Sequence, residues 1–325
     1  MSVRILVTGS TGFVGSHLAE SLLADGCIVR LLVRDPRKLR WFDRNKYEII
    51  VGDLTDSAVL SSAVESVDIV IHCAGVTKAV DIGEYYRINK DATQLLAEVS
   101  EQQGVNRFVY CSTLAVCGPS KNVPHREEDE VSPITNYGRS KFEGELALKR
   151  VLRNTSWQIL RPPAVMGPRD EQFVPLFKMM WRWRVFTDVG GHPRKYSMIG
   201  VHDLVRALKL SAFSPVTNDT FFVGMSLPYE WRDVAHAFSN VCGRRPRRVV
   251  VPAFVSRIIG VFGDYSMRIS RKPVLLNSEK VKEILAESWM CSVSKAESVL
   301  GFQCKDDLES VVRKTFEFYR QRNWI

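Results

Sequence analysis

Tyr137 and Lys141 stand four residues apart in the segment Tyr137-Gly138-Arg139-Ser140-Lys141. On a helix, residues i and i+4 share one face, so a phenol and an ammonium at this spacing point into the same cleft. A phenol near pKa 10 is a poor base at neutral pH, and an adjacent cation stabilises its phenolate. Lowering that pKa by about 3 units requires roughly 4 kcal/mol of differential stabilisation. The pair is therefore a device for moving a proton. Some twenty residues upstream, Ser112 and Thr113 place two hydroxyls where the apolar run Arg107-Phe108-Val109-Tyr110-Cys111 ends.

A second chemistry-bearing segment opens the chain. Thr8-Gly9-Ser10-Thr11-Gly12-Phe13-Val14-Gly15 follows a strand-like run from Arg4 to Thr8 and leads into a helical pattern, Ser16-His17-Leu18-Ala19-Glu20. Gly9 suits a tight turn, Gly12 lets backbone approach a pyrophosphate, and Gly15 permits close packing of helix on strand. The helix start then offers free N–H groups and a positive dipole end to phosphates. A dinucleotide is expected here, against Gly9, Thr11, Gly12, Phe13 and Val14.

The elements that must position these groups follow from periodicity. Short β-rich runs at Arg4 to Thr8, Ile28 to Val33, Tyr47 to Val51, Ile69 to His72, Arg107 to Cys111 and Gln158 to Leu160 alternate with amphipathic stretches such as Val14 to Ala24 and Tyr85 to Gln103. Strands alternating with helices predict an α/β fold, a doubly wound Rossmann-type parallel sheet covered on both faces. The helix carrying Tyr137 and Lys141 should begin after the Ser132-Pro133 turn. Beyond residue 161 the alternation gives way to Pro- and Gly-punctuated segments (Pro162-Pro163, Gly190-Gly191, Pro252, Pro273), ending in an amphipathic helix near Leu308 to Arg320. This predicts a dinucleotide-binding domain over residues 1–160 and a smaller, mainly substrate-binding region over 161–325, with room for elements that return to the sheet.

The Gly-x-x-Gly-x-x-Gly spacing, the Tyr137/Lys141 pair and the chain length resemble the short-chain dehydrogenase/reductase superfamily, in its extended, NAD-dependent epimerase/dehydratase-like branch. The resemblance spans about residues 1 to 210 and is weak beyond them. It implies NAD(P)-dependent hydride chemistry in which Thr113, beside Ser112, orients the reacting oxygen. Tyr137 gives or takes its proton, and Lys141 also holds the nicotinamide ribose. It implies that Gly52-Asp53-Leu54 meets the adenine, that Ala74 and Gly75, after His72-Cys73, lie under the cofactor, and that Pro163 and Val165 flank the nicotinamide. His72 itself is expected to be a satisfied core histidine.

In that branch an acidic residue ending the second strand favours NAD and a basic one suits the NADP 2′-phosphate. Val33 stands at the acidic position and Arg34 follows it, with Arg37 and Lys38 nearby, so NADP(H) is favoured and NAD(H) allowed; Asp35 is the counter-evidence. Where nucleotide-sugar epimerases commonly carry a phosphate-binding arginine stands Tyr196, with Arg194 and Lys195 as substitutes, and Ala164 replaces their usual asparagine. The preferred substrate is a small carbonyl or alcohol compound, with a nucleotide-sugar epimerase or dehydratase as the alternative and a non-catalytic dinucleotide sensor as a third. The aromatic segment Phe173 to Phe186 and the apolar stretch Val250 to Phe262 fit a substrate pocket, core, a dimer contact or a membrane surface.

Composition narrows the setting. The 325 residues carry a formal charge of +9, but the basic residues are dispersed and accompany no nucleic-acid module, so no nucleic-acid partner is expected. Seven cysteines, with no C-x-x-C pair, read as reduced thiols of a cytoplasmic protein; no metal site and no transmembrane segment are expected, and a homodimer is left open.

Overall fold

The computed structural model describes residues 2–272, 274 and 276–325; Pro273 lies outside the described residues. Seven strands, β1 (Arg4–Thr8), β2 (Ile28–Val33), β3 (Glu48–Val51), β4 (Ile69–His72), β5 (Arg107–Cys111), β6 (Ser156–Arg161) and β7 (Asp219–Phe222), form one sheet. Their order is β7-β6-β5-β4-β1-β2-β3, and every neighbouring pair is parallel. Parallel sheets need cover on both faces, so their central strands are apolar throughout. Ile5, Leu6 and Val7 of β1 are fully buried in succession.

Ile5 and Val7 face α1 (Phe13–Ala24) and α5 (Val201–Phe213), packing with Leu18, Leu22, Leu204 and Leu208. Leu6 faces the opposite layer, where α2 (Ser57–Val64), α3 (Ala92–Gln102) and α4 (Asn136–Val151) contribute Leu60, Leu96 and Leu148. The helical stretch expected from Tyr85 to Gln103 is interrupted. A π-turn over Arg87–Asp91 separates a short helix, Ile82–Tyr86, from α3 and carries Asn89, which is fully buried. Single π-turns of this kind are frequent at functional sites.

The strand order reverses around β1, leaving a crevice at the carboxyl ends of β1 and β4, where doubly wound sheets take their ligands. The glycine loop there is sterically determined. Gly9 has φ +77°, and a Cβ on it would meet the Ala74 nitrogen at 2.7 Å; a Cβ on Gly15 would lie 2.3 Å from the Gly9 oxygen.

The regular α/β layer does not stop near residue 160: α5 and β7 return from the second half, β7 pairing with β6. The remainder forms its own core from Phe177, Met180, Phe186, Phe238, Val312 and Tyr319. Two helices of this part, α6 (Trp231–Cys242) and α9 (Leu308–Gln321), contribute to it, and α7 (Ala253–Ser270) and α8 (Ser278–Leu285) pack together as an adjoining hairpin.

Candidate active site

Helix α4 is started by Thr135, whose Oγ1 accepts from the Gly138 N–H at 3.1 Å, and by Glu279 of α8, whose carboxylate accepts from the Asn136 N–H at 2.9 Å. A Cβ on Gly138 would lie 2.5 Å from the Ala115 oxygen, so only glycine lets this first turn approach the loop that carries Thr113. Tyr137 is thereby brought beside Thr113, whose hydroxyl pulls its phenol pKa down. One turn on, Lys141 is buried; its ammonium donates to the Cys111 oxygen at 2.8 Å and lies 4.0 Å from the centre of the Tyr110 ring.

Desolvation of the half-buried Tyr137 pushes its phenol up to about 12, outweighing the nearby Lys141 ammonium and the Thr113 hydroxyl, which both pull it down. Burial also lowers Lys141, with Tyr137 the largest opposing influence. In the chain alone, desolvation exceeds the attraction of one cation. At neutral pH Tyr137 holds its proton.

From this pair, contacts run to the glycine loop. A Cβ on Gly75 would stand 3.8 Å from the Lys141 ammonium, while Ala74 abuts Gly9. Thr11 and Gly12 follow Gly9 in the loop, and Phe13 and Val14 open α1; Gly12 caps α1 with no side-chain hydrogen bond, and Ser10 Oγ is buried without a partner among the described residues. A cradle that tolerates no Cβ and a free helix start suit a pyrophosphate, so the residues present fit a dinucleotide. Pro163 and Val165 follow β6, where the Leu114 N–H donates to the Pro162 oxygen at 2.8 Å. Asp53 accepts from the Thr55 N–H and hydroxyl through Oδ1, and Leu54 packs on the sheet core.

At the far end of β2, Arg34 is exposed and makes no hydrogen bond or ion pair among the described residues. Asp35 is spent locally, capping the turn at Pro36–Lys38 and gripping the Arg37 guanidinium at 2.9 and 3.1 Å. His72 is fully buried, with Thr8 Oγ1 2.7 Å from Nδ1 and Thr93 Oγ1 3.0 Å from Nε2. Burial, then Lys141, drive its pKa down to about 3, so it stays neutral and structural.

Ser112 is occupied elsewhere. Its hydroxyl donates to Glu145 Oε1 at 2.5 Å, and the same fully buried carboxylate receives Arg161 Nε at 3.0 Å and Nη2 at 2.6 Å. The Ser112 O–H is thus engaged by the buried Glu145 carboxylate. Sequence reasoning assigned no role to Glu145 or Arg161. The signals were an acid one turn beyond Lys141 on the same helix face and an arginine inside an apolar strand. Asn89, which the resemblance places on a recurring family helix or in a packing role, bonds Val76 N and O at 2.8 and 2.9 Å and Ser140 Oγ at 2.9 Å, stapling the loop after β4 to α4.

The NAD dependent epimerase/dehydratase family matches residues 5–224, two-thirds of the chain. The chain belongs to that family. It is 30% identical to the ceramide reductase of Caulobacter vibrioides over 99% of this chain and 96% of that protein. It is 25% identical to the 3 beta-hydroxysteroid dehydrogenase/Delta 5-->4-isomerase of Mycobacterium tuberculosis, covering 97% and 90%. Among solved structures, MoeE5 in complex with UDP-glucose and NAD superposes with a TM-score of 0.80 at 25% identity, covering 98% and 99%. Relatives with steroid, ceramide and nucleotide-sugar names thus all match this chain, which is an NAD(P)-dependent enzyme of the same superfamily.

The buried pair gives a first prediction. Glu145→Ala leaves the Arg161 guanidinium buried and unpaired and should cost about 3–5 kcal/mol in urea unfolding, whereas Glu145→Leu combined with Arg161→Met should recover most of that loss. An equal loss in the double variant would show that the pair does not act as a unit.

Proposed function

We propose that this enzyme reduces an apolar carbonyl compound, or oxidises the matching alcohol, with NADP(H). The observation that carries the reading is the combination of a protonated Tyr137 with an aromatic wall where a nucleotide-sugar enzyme needs a cation. Tyr196 packs with Phe173 and Phe186 around Trp231, the ring centres lying 6.1–6.3 Å from that of Trp231. Arg194, the first substitute for a phosphate ligand, is turned to the main chain and donates to the Val189 oxygen at 2.6 Å. A cleft of about 550 Å³ beside the start of α4 is lined by Ile134, Val261, Val281, Leu285 and Ala286 together with Arg257, Ser278 and Lys282. The ceramide and steroid names of the two relatives agree with a bulky apolar substrate.

The bound nicotinamide would supply the hydride. Gly9, Gly12 and the start of α1 would hold its pyrophosphate, Asp53 and Leu54 the adenine, Ala74, Gly75, Pro163 and Val165 the remaining edge, and Lys141 the ribose. Thr113 would orient the substrate oxygen, and Tyr137 would deliver its phenolic proton as negative charge develops there. Lys141 then faces the phenolate left behind. A buried, water-poor site makes that attraction worth more than it would be in water.

Tyr137→Phe keeps the ring and removes the proton, so the reductive turnover should fall by about 10²–10⁴-fold with cofactor affinity nearly unchanged. Because burial holds the phenol near 12 and its protonated form is the reactive one in reduction, wild-type reductive kcat/KM should stay flat across neutral pH and decline only in strong alkali. A decline centred near neutrality would assign the proton to another group.

Arg34→Ala should weaken NADPH by roughly 10–150-fold, the value of a charge-assisted contact, while sparing NADH. Equal losses in a direct titration would remove Arg34 from the 2′-phosphate.

The substrate class is decided by titrating the NADP-loaded enzyme with UDP, GDP and dTDP beside a screen of apolar ketones for NADPH oxidation. Ketone reduction with weak diphosphate binding is expected. Low-micromolar affinity for a diphosphate without ketone reduction would install the epimerase/dehydratase reading in its place.

A further inference from the structure

Helix α7 presents two apolar faces, and the fold buries one of them. Its inner face is small, with Ser256, Gly260 and Met267 buried; a Cβ on Gly260 would lie 3.1 Å from the Ser278 Cα at the start of α8. On the opposite side Phe254, Ile258, Val261, Phe262, Tyr265 and Ile269 are each more than half exposed. Their spacing, i, i+4, i+7, i+8, i+11 and i+15, puts them on a single stripe about 100° wide, the pattern of a helix that should be covered. A contiguous bare patch of large side chains marks an interaction surface.

Charge says what covers it. Arg257 and Arg268 run along one flank of the stripe, and Arg271 and Lys272 close its end; all four are exposed, and none is ion-paired among the described residues. The only acid in α7, Asp264, accepts from the Ser278 N–H at 3.3 Å on the α8 side. If a second copy docked through the same face, two-fold symmetry would set these arginines against their own counterparts with no acid between them. A bilayer carrying anionic headgroups satisfies both features: acyl chains for the stripe and phosphates for the cations. No described helix is long and apolar enough to cross a membrane, so α7 would lie along the surface.

We infer that α7 docks this protein onto an anionic lipid surface, its apolar stripe at the headgroup–acyl boundary and Arg257, Arg268, Arg271 and Lys272 on lipid phosphates. This holds whichever substrate is turned over. Under the proposed function it has a consequence: Arg257 and Val261 of α7 also line the cleft beside Ile134, so docking brings the cleft to the bilayer.

Flotation of the full-length protein with vesicles of phosphatidylcholine, with and without phosphatidylglycerol, tests the inference. The protein should rise with the anionic vesicles and remain below with the neutral ones. Phe262→Glu with Ile269→Glu should abolish flotation at unchanged melting temperature, since both side chains are exposed. Arg257→Gln with Arg268→Gln should lower the partition coefficient by roughly 25-fold, and added salt should weaken wild-type binding. Failure of the wild-type protein to float with anionic vesicles overturns the inference, as does flotation that survives the glutamates. A dimer detected by light scattering and dissolved by the same glutamates would also overturn it, reassigning the face to contact between copies.

Discussion

The Glu145 carboxylate, sealed inside the protein, receives two N–H groups from Arg161 of β6 and the hydroxyl of Ser112 at the end of β5. Burying such charges costs several kcal/mol for each ion, which only close geometry and full hydrogen bonding offset. That requirement makes the contact directional. Glu145 lies one turn beyond Lys141 and two beyond Tyr137, so fixing its carboxylate fixes the rotation of α4 about its axis. Both side chains are thereby turned toward the strand ends, where the Cys111 oxygen receives the Lys141 ammonium and Gly75 leaves room beneath it. Asn89 secures the other side of the same helix through Ser140.

Once α4 is fixed, the electrostatics follow from the scarcity of water. Tyr137, Lys141 and His72 are shifted chiefly by burial, each toward its neutral form. His72 reaches neutrality with both ring nitrogens satisfied and takes no further part. Tyr137 and Lys141 differ because each carries the other as its strongest opposing influence. A phenol that keeps its proton until a neighbouring oxygen becomes more basic is suited to act as an acid, with the lysine ready to face the charge that results.

The aromatic wealth of the second half divides into different physical roles. Phe177, Met180 and Phe186 form core, and Trp181 lies under the guanidinium of Arg244, 3.6 Å from its ring centre, and that of Arg320 at 4.6 Å. Tyr196, Phe173 and Trp231 pack together at the margin of that core, in contact with Phe186, and α7 keeps its stripe in solvent. Single-residue hydrophobicity is alike in all these segments. What separates them is which neighbours arrive from distant parts of the chain.

Local interactions explain what could be read without the fold. A glycine loop between a strand and a helix, strands apolar at every position, and a phenol and an ammonium one turn apart are short-range patterns. They determined the parallel α/β sheet, the dinucleotide crevice and the Tyr137–Lys141 pair. The strand expected at Tyr47 begins instead at Glu48, and the helix from Tyr85 is broken by a π-turn; such boundaries depend on packing that periodicity does not record. Three matters were left to tertiary structure because they join residues far apart: the return of β7 to the sheet edge, the Ser112–Glu145–Arg161 contact, and the burial that opposes the Lys141 ammonium at the Tyr137 phenol. A lysine four residues away is written in the sequence, but the water that the fold removes is not, and here that desolvation outweighs the cation.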